Sequence, residues 1–335
     1  MRQHPVYLFI YKKNQDYDSS QGQAPSSGVR SSVAFVVDML QHHGVNAVLA
    51  EAVDGNSIDA LVTKYRPRRV VLEALWVTPE KLTELLKLHP GVRQWTVRAH
   101  SEIPFLAQEG CAVDWLVQIG RLGVEVAFNS NQTVEDWRVL DHATWLPNYY
   151  PLRSPRTAAS NGSDYHVGCF GAIRPLKNQL IQALAAIKFA RHLNCPLVFH
   201  MNGSRVEQMG SSNLKNIQAA IRHAGQTLEL HPWLPHTEFL ELVAQMDVCL
   251  AVSLSESYCI VAADAVSMGI PLVGSSAISW LPRRSRARVD SVDDIFQAMD
   301  RADETNGAAV HLNHEALENY LETAVSTWMH WVKEK

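Results

Sequence analysis

Short apolar runs alternate with amphipathic helical stretches along nearly the whole chain, and this alternation constrains the fold more than any other feature. In the first half, apolar runs at 6–11, 45–50, 70–75, 95–99 and 124–128 read as strands. Helical periodicity covers 29–43, 57–65, 79–88 and 134–140. Apolar runs without polar alternation mark strands buried on both faces, and intervening helices supply the covers, so the pattern predicts βα units on parallel sheets. The scheme stops at Pro147-Asn148-Tyr149-Tyr150-Pro151 and a polar stretch, 154–163, then resumes at Tyr165. A punctuated polar segment of this kind reads as a linker. At 335 residues the chain favours two such domains over one. The expected division is a first domain at 1–150, a linker at 151–164, a second domain at 165–314 and a C-terminal helix at 315–335. Ligands of doubly wound sheets lie outside the carboxyl ends of the strands, so loops at those ends carry the candidate chemistry.

The most informative of these regions runs from Asp247 to Pro271. A strand at 248–252 would deliver Glu256 to a loop at its carboxyl end. A helix starting near Tyr258 would carry Asp264, eight positions after Glu256, about two turns further on. Backbone N–H groups of Ser257, Tyr258, Cys259 and Ile260 would face a phosphate at the helix N-terminus, with the two acids beside its hydroxyl-bearing parts. Upstream, an apolar run at 167–170 leads into Gly171-Ala172-Ile173-Arg174-Pro175-Leu176-Lys177-Asn178 and then a helix at 179–193. Glycine lets the backbone approach a ligand, and two cations three positions apart can neutralise a diphosphate. A strand at 197–201 ends in Asn202-Gly203-Ser204. Another at 228–231 precedes Pro232-Trp233-Leu234-Pro235-His236 and a helix at 237–245, with Trp233 able to stack on a base.

Taken in this order, these segments resemble retaining nucleotide-sugar glycosyltransferases of the GT-B fold, the group 1 type with an E-x7-E signature; here the second acid is Asp264. The resemblance is close over 165–282 and loose over the first half. It implies two Rossmann-like domains facing across a cleft. Arg174 and Lys177 would hold the donor diphosphate, Glu256 the sugar and Asp264 the ribose. Gly171, Asn202, Gly203, Trp233 and Leu234 would line the rest of the donor site. It implies no required cofactor or metal, a nucleotide diphosphate sugar (UDP-sugar favoured) as co-substrate, and a C-terminal helix crossing back to the first domain.

In the first half, a Gly-, Ser- and Gln-rich loop at 21–32 contains Gly28 and Arg30, which the resemblance places near donor phosphates and acceptor. Arg98 stands at the end of the strand at 95–99 and His100 just after it, and the resemblance implies that His100 turns toward the donor sugar. Arg283, Arg284, Arg286 and Arg288, four arginines within six residues, are candidate contacts for a polyanionic acceptor, with a smaller patch at Arg66, Arg68 and Arg69. The chain's small size is similar to that of phage-encoded glycosyltransferases. This points to a 5-hydroxymethylated base in double-stranded DNA as acceptor, with Trp76, Trp115 and Tyr149 available to receive a flipped base. Alternatives are a glycan or lipid acceptor, a sugar-nucleotide epimerase, a non-catalytic sugar-nucleotide-binding protein, or a nucleic-acid-binding module built on the arginines.

The remaining features exclude other classes. A net charge of −4 gives no global basic field. There is no run of 18 apolar residues to span a membrane, and the first residues lack the long apolar core and cleavage site of a signal peptide, so the expected location is cytoplasmic, the host cytoplasm if phage-encoded. Five cysteines without a C-x-x-C pair, three of them in or beside apolar strands, read as reduced core residues. No Cys/His grouping has metal-ligand spacing. Oligomeric state is not legible.

Overall fold

A computed structural model describes residues 7–13, 28–152, 163–207 and 209–334. The loop at 14–27 and most of the expected linker therefore lie outside the described residues. The chain divides into two units, Met1–Pro151 with Leu321–Lys335, and Leu152–Tyr320.

The first unit contains β1 (Tyr7–Lys12), α1 (Gly28–His42), β2 (Ala47–Ala52), α2 (Ser57–Tyr65), β3 (Arg69–Glu73), α3 (Pro79–Leu88), β4 (Gln94–Ala99), α4 (Ile103–Leu106), α5 (Ala112–Arg121), β5 (Glu125–Phe128), α6 (Asn131–Trp137) and β6 (Thr144–Trp145). The strands form one parallel sheet ordered β2-β1-β3-β4-β5-β6. Chain progression reverses between β1 and β3, which makes their carboxyl ends the topological switch point. Both faces of the sheet are covered. Leu8, Ile10, Leu72 and Val97 pack with α2, α3 and α5 residues on one side. Tyr7, Phe9 and Val71 pack with Val33, Val36 and Leu40 on the other. Ser130 caps α6 by accepting from the Thr133 N–H, so this helix begins earlier than the periodicity indicates. Helix α5 has no counterpart in the sequence reading; Gly120 in its last turn weakens the local signal.

The second unit contains β7 (Tyr165–Gly168), α7 (Gln179–Leu193), β8 (Leu197–Asn202), α8 (Gly210–His223), β9 (Thr227–His231), α9 (His236–Val243), β10 (Val248–Ala251), α10 (Ile260–Ser267), β11 (Leu272–Gly274), α11 (Val292–Glu304) and the start of α12 (Asn306–Glu334). Its parallel sheet runs β11-β10-β7-β8-β9. The switch point lies between β7 and β10, the two strands that lead into the Gly171 and Glu256 loops.

The last turns of α12 close the open face of the first sheet. Trp328 is fully buried against Phe9, and its indole N–H donates to the Pro147 carbonyl at 2.8 Å. Tyr7 Oη donates to the Val332 carbonyl at 3.0 Å. Arg69, expected in a surface patch with Arg66 and Arg68, is instead 2% exposed. It donates to Tyr7 Oη and the Trp331 carbonyl and lies over both rings, because strand alternation turns its side chain beneath the returning helix.

Three histidines form a hydrogen-bonded row across the second sheet. His166 Nδ1 lies 2.9 Å from His200 Nε2, and His200 Nδ1 lies 2.9 Å from His231 Nε2. The His200 and His231 rings stack at 5.2 Å. Burial, with the neighbouring His231 and His166 adding to it, pushes His200 down to about 4, so its ring is held neutral. All five cysteines are free thiols.

Candidate active site

At the carboxyl end of β7 the chain turns sharply at Gly171, whose φ of +109° lies where only glycine is comfortable. Its N–H donates to Asn202 Oδ1 at 2.8 Å, joining the ends of β7 and β8. Ile173 then bridges to Val206, and Pro175–Lys177 forms a 3-10 turn. Asn178, also in the left-handed region, donates from Nδ2 to the carbonyls of Val252 at 3.1 Å and Val289 at 2.7 Å. Gln182 donates to the Lys177 carbonyl and accepts from the Val252 N–H. The Leu254 N–H donates to the Leu176 carbonyl at 2.9 Å. These bonds hold the Arg174–Lys177 turn against the loop leaving β10, so residues 79 positions apart meet in a fixed geometry.

The meeting point is an ion pair between Lys177 Nζ and Glu256 Oε1, with side-chain exposures of 13% and 7%. Burial alone would raise the Glu256 carboxyl; Lys177, Ser253 and Arg174 outweigh it and hold the group below the ordinary carboxylate range. Burial alone would lower Lys177; the Glu256 carboxylate outweighs that and holds the amine above its ordinary value. Both shifts agree on a fully charged pair. Arg174 Nη1 lies 3.6 Å from Glu207 Oε2, and Arg205 bonds the other Glu207 oxygen. The Arg205 guanidinium sits 4.9 Å above the Trp233 ring, and the Trp233 N–H donates to Ser204 Oγ at 2.8 Å. Arg205 and Glu207 were not legible as site residues, although Arg205 stands only two positions after Gly203.

Past Glu256 the expected helix start at Tyr258 is displaced by two residues. Cys259 adopts a left-handed φ of +64°, so α10 begins at Ile260. Burial, with Glu256 adding to it, pushes the Cys259 thiol up to about 12, leaving it protonated. The Tyr258 side chain packs into the interior against Trp280 and Tyr320, and its carbonyl accepts from the Trp280 indole at 2.9 Å. Tyr258 can thus serve a ligand only through its backbone. Asp264 is 2% exposed, and its Oδ1 lies 2.7 Å from His236 Nε2. His236, the first residue of α9, is a third candidate that sequence reasoning missed, after Arg205 and Glu207; its partner is created by α9 meeting α10. Leu234 stands half-buried in the same loop as Trp233.

The first unit's candidates fall out differently. Gly28 opens α1, and exposed Arg30 donates from Nε to Tyr11 Oη at 3.2 Å. Arg98, expected to face an acceptor, is fully buried. It donates to Glu73 Oε2 at 3.0 Å, the Leu146 carbonyl at 2.8 Å and Asn148 Oδ1 at 2.6 Å, because its position on β4 points into the sheet's covered face. His100 Nε2 lies 2.6 Å from the same Glu73 oxygen. The arginine cluster does not act as one surface. Arg286 donates to the Leu281 and Ser279 carbonyls, holding its own loop, and Arg288 pairs with Asp290. Arg283 and Arg284 remain exposed, and Arg284 borders a cavity of about 300 Å³ with Arg301 and His311. Trp76 donates to the Glu73 carbonyl, and Tyr149 packs on the core beneath α12.

Among the described residues no group of His, Cys, Asp or Glu could hold a metal ion, and no helix is long and apolar enough to cross a membrane. No curated protein matches the chain in sequence. Solved structures match over nearly the whole chain. A UDP-forming trehalose-phosphate synthase from Burkholderia xenovorans is 12% identical, with a TM-score of 0.69 covering 98% of this chain and 99% of that one. Anabaena HepE, solved with UDP and glucose, is 13% identical, with a TM-score of 0.68 covering 98% and 100%. A sucrose-phosphate synthase from Thermosynechococcus elongatus is 12% identical, with a TM-score of 0.67 covering 97% and 98%. The fold is therefore GT-B. Residues 164–303, which hold the Arg174, Lys177, Glu256 and Asp264 constellation, match the profile of the family described as glycosyl transferases group 1.

Proposed function

We propose that this protein is a retaining glycosyltransferase that moves a sugar from a nucleotide diphosphate sugar, UDP-sugar favoured, to an acceptor hydroxyl without a required metal. The observation that carries the reading is the buried Lys177–Glu256 pair, stitched beside Arg174 and Gly171 at the carboxyl ends of β7 and β10. Arg174 and Lys177 neutralise the leaving diphosphate, together with backbone N–H groups at the start of α10. Glu256 orients sugar hydroxyls, Asp264 accepts from the ribose with His236 supporting it, and Trp233 stacks on the base. The acceptor oxygen bonds to the anomeric carbon on the face from which the diphosphate departs, as the bond from that carbon to the phosphate oxygen breaks. The acceptor proton passes to that oxygen. The match of residues 164–303 to glycosyl transferases group 1 supports glycosyl transfer over the GT-B epimerase and binding-protein alternatives.

The DNA acceptor remains part of this proposal, supported on this chain by exposed Arg283 and Arg284 alone. The test is a thermal-shift screen with UDP, GDP, ADP and their sugars on wild type and Glu256→Ala, followed by transfer assays on hydroxymethylated DNA and on glycan and lipid acceptors. A ligand that binds the native state raises the melting temperature by mass action. A selective shift with one sugar nucleotide, reduced in the variant, supports the donor site; no shift with any nucleotide refutes it.

A further inference from the structure

The second unit holds a cavity at the opposite end of its sheet from the donor site. Its volume is about 300 Å³, and it lies between the 3-10 turn Arg283–Ser285, α11 and the first turns of α12. Asp303, in the last turn of α11, accepts from Tyr165 Oη at 3.0 Å, and Tyr165 starts β7. Asn313 Nδ2 donates to the carbonyl of Leu272 at 3.3 Å, and Leu272 starts β11. The elements around the cavity therefore reach the amino ends of the strands, whereas the Gly171 and Glu256 loops leave the carboxyl ends. None of Gly171, Arg174, Lys177, Glu256 and Asp264 lines it.

Two helix faces and a fixed turn make the hollow. Ala298, Arg301, Ala302 and Thr305 follow one another at helical spacing down one face of α11. Ala308, Leu312 and Glu315 do the same on α12. Alanine side chains are short, so the space between these faces stays open where larger residues would fill it. The turn that carries Arg284 is tied down from beneath. Ser285 Oγ donates to Asn313 Oδ1 at 2.6 Å, and both residues are buried. A wall held in place before a ligand arrives lowers the ordering cost of binding.

The charged side chains on this lining lack partners of their own. Among the described residues, Arg284, Arg301 and Glu315 make no side-chain hydrogen bond or ion pair. The neighbouring arginines differ: Arg286 donates to two carbonyls, and Arg288 pairs with Asp290. An isolated surface arginine is simply solvated. Two that border one hollow act together, because its low-dielectric walls strengthen their field toward an incoming anion. One carboxylate is matched by a single guanidinium fork, whereas a phosphate dianion matches two in charge and in acceptor oxygens. His311 lines the same hollow and can add a ring N–H. The volume stands at the lower end of small-molecule pockets, which suits a short carbon chain. Glu315, one helical turn past His311, disfavours a bare anion but accepts from hydroxyl groups.

We propose that this cavity binds a small hydroxylated phosphomonoester, with Arg284 and Arg301 on the phosphate and Glu315 accepting from a hydroxyl of the carbon chain. The site is separate from the donor site, and it does not rest on the function proposed above.

The experiment is calorimetric titration of the full chain, at fixed ionic strength, with glycerol 3-phosphate, methyl phosphate and inorganic phosphate. Wild type is expected to bind glycerol 3-phosphate more tightly than either of the others. Arg301→Ala should weaken that binding by about tenfold, the loss of one hydrogen bond to a charged group. Ala308→Trp keeps every charge and fills the hollow from an exposed position, so it should abolish binding. Arg283→Ala removes the same charge from outside the lining and should leave binding unchanged. Glu315→Ala should remove the preference for glycerol 3-phosphate over methyl phosphate. The melting temperature of each unliganded variant checks its folding, and Arg301→Ala carries the test if Ala308→Trp does not fold. No binding of any probe at millimolar concentration overturns the proposal. Equal weakening by Arg283→Ala and Arg301→Ala also overturns it, because the attraction is then diffuse. Displacement of glycerol 3-phosphate by UDP overturns it too, because the probe then sits in the donor site. Wild type that binds inorganic phosphate as tightly as glycerol 3-phosphate overturns the assignment of a phosphomonoester. Failure of UDP to bind at all would count against the function proposed above and leave these titrations standing.

Discussion

The His166–His200–His231 row makes acid sensitivity of the second unit a quantitative matter. His200 is 7% exposed, bonded through both ring nitrogens to two further imidazoles, and pushed down to about 4 by burial and those neighbours. Its unfolded value is about 6.5. A base whose folded pKa is depressed makes the unfolded state bind more protons as the pH falls. The stability tied to a neutral His200 is therefore fully present above about pH 6.5, falls as the pH drops, and is gone once the pH passes below the folded value of about 4. Between pH 7.5 and 4.5 this single site should cost about 2.5 kcal/mol of unfolding free energy. His166, His231, Glu229 and Asp247 surround the row, so the difference between two proteins is the quantity to measure. His200→Gln keeps a donor and an acceptor but cannot take a proton. Urea unfolding of both proteins at half-unit intervals should show the variant losing less stability than wild type across this window, by about that amount. Parallel pH profiles would refute the reasoning, because His200 would then titrate alike in both states.

Four further outcomes follow from the same structure. Lys177→Met and Glu256→Gln should each destabilise by about 3 kcal/mol, since each leaves a buried charge uncompensated, while the double variant should cost clearly less than the sum in denaturant unfolding. The pair's own contribution should span neutral pH, being lost as the pH falls through the depressed Glu256 value and again as it rises through the elevated Lys177 value. Trp328→Ala should cost about 3–5 kcal/mol, from the cavity and the unpaired Pro147 carbonyl, and should lower the melting temperature without removing UDP-induced stabilisation. Among the arginines, Arg286→Ala should destabilise measurably while Arg283→Ala and Arg284→Ala stay within about 0.5 kcal/mol, because Arg286 alone ties two carbonyls of its own loop.

The parallel α/β class, the alternation of most of its strands and helices, and the spacing of Gly171, Arg174, Lys177, Glu256 and Asp264 were legible from the sequence alone. These depend on local periodicity and on which residue types can sit at a strand end, and both are written in neighbouring positions. Helices α2, α3 and α7 fall where the periodicity puts them. Only the tertiary structure decided what each charged side chain faces. Arg98 and Arg69 look like surface cations in sequence and are buried, because parallel strands covered on both faces leave their alternate side chains no route to water. Arg286 and Arg288 stand beside Arg283 and Arg284 yet turn to carbonyls and to Asp290. Asp264 meets His236, and Lys177 meets Glu256, only because α9, α10 and the Lys177 turn converge at the ends of β7 and β10. Glu73, at the end of β3, and His100, just past β4 and 27 positions later, likewise meet only through sheet pairing. Strand order and register are long-range properties set by packing of the whole sheet, and no local window of sequence contains them.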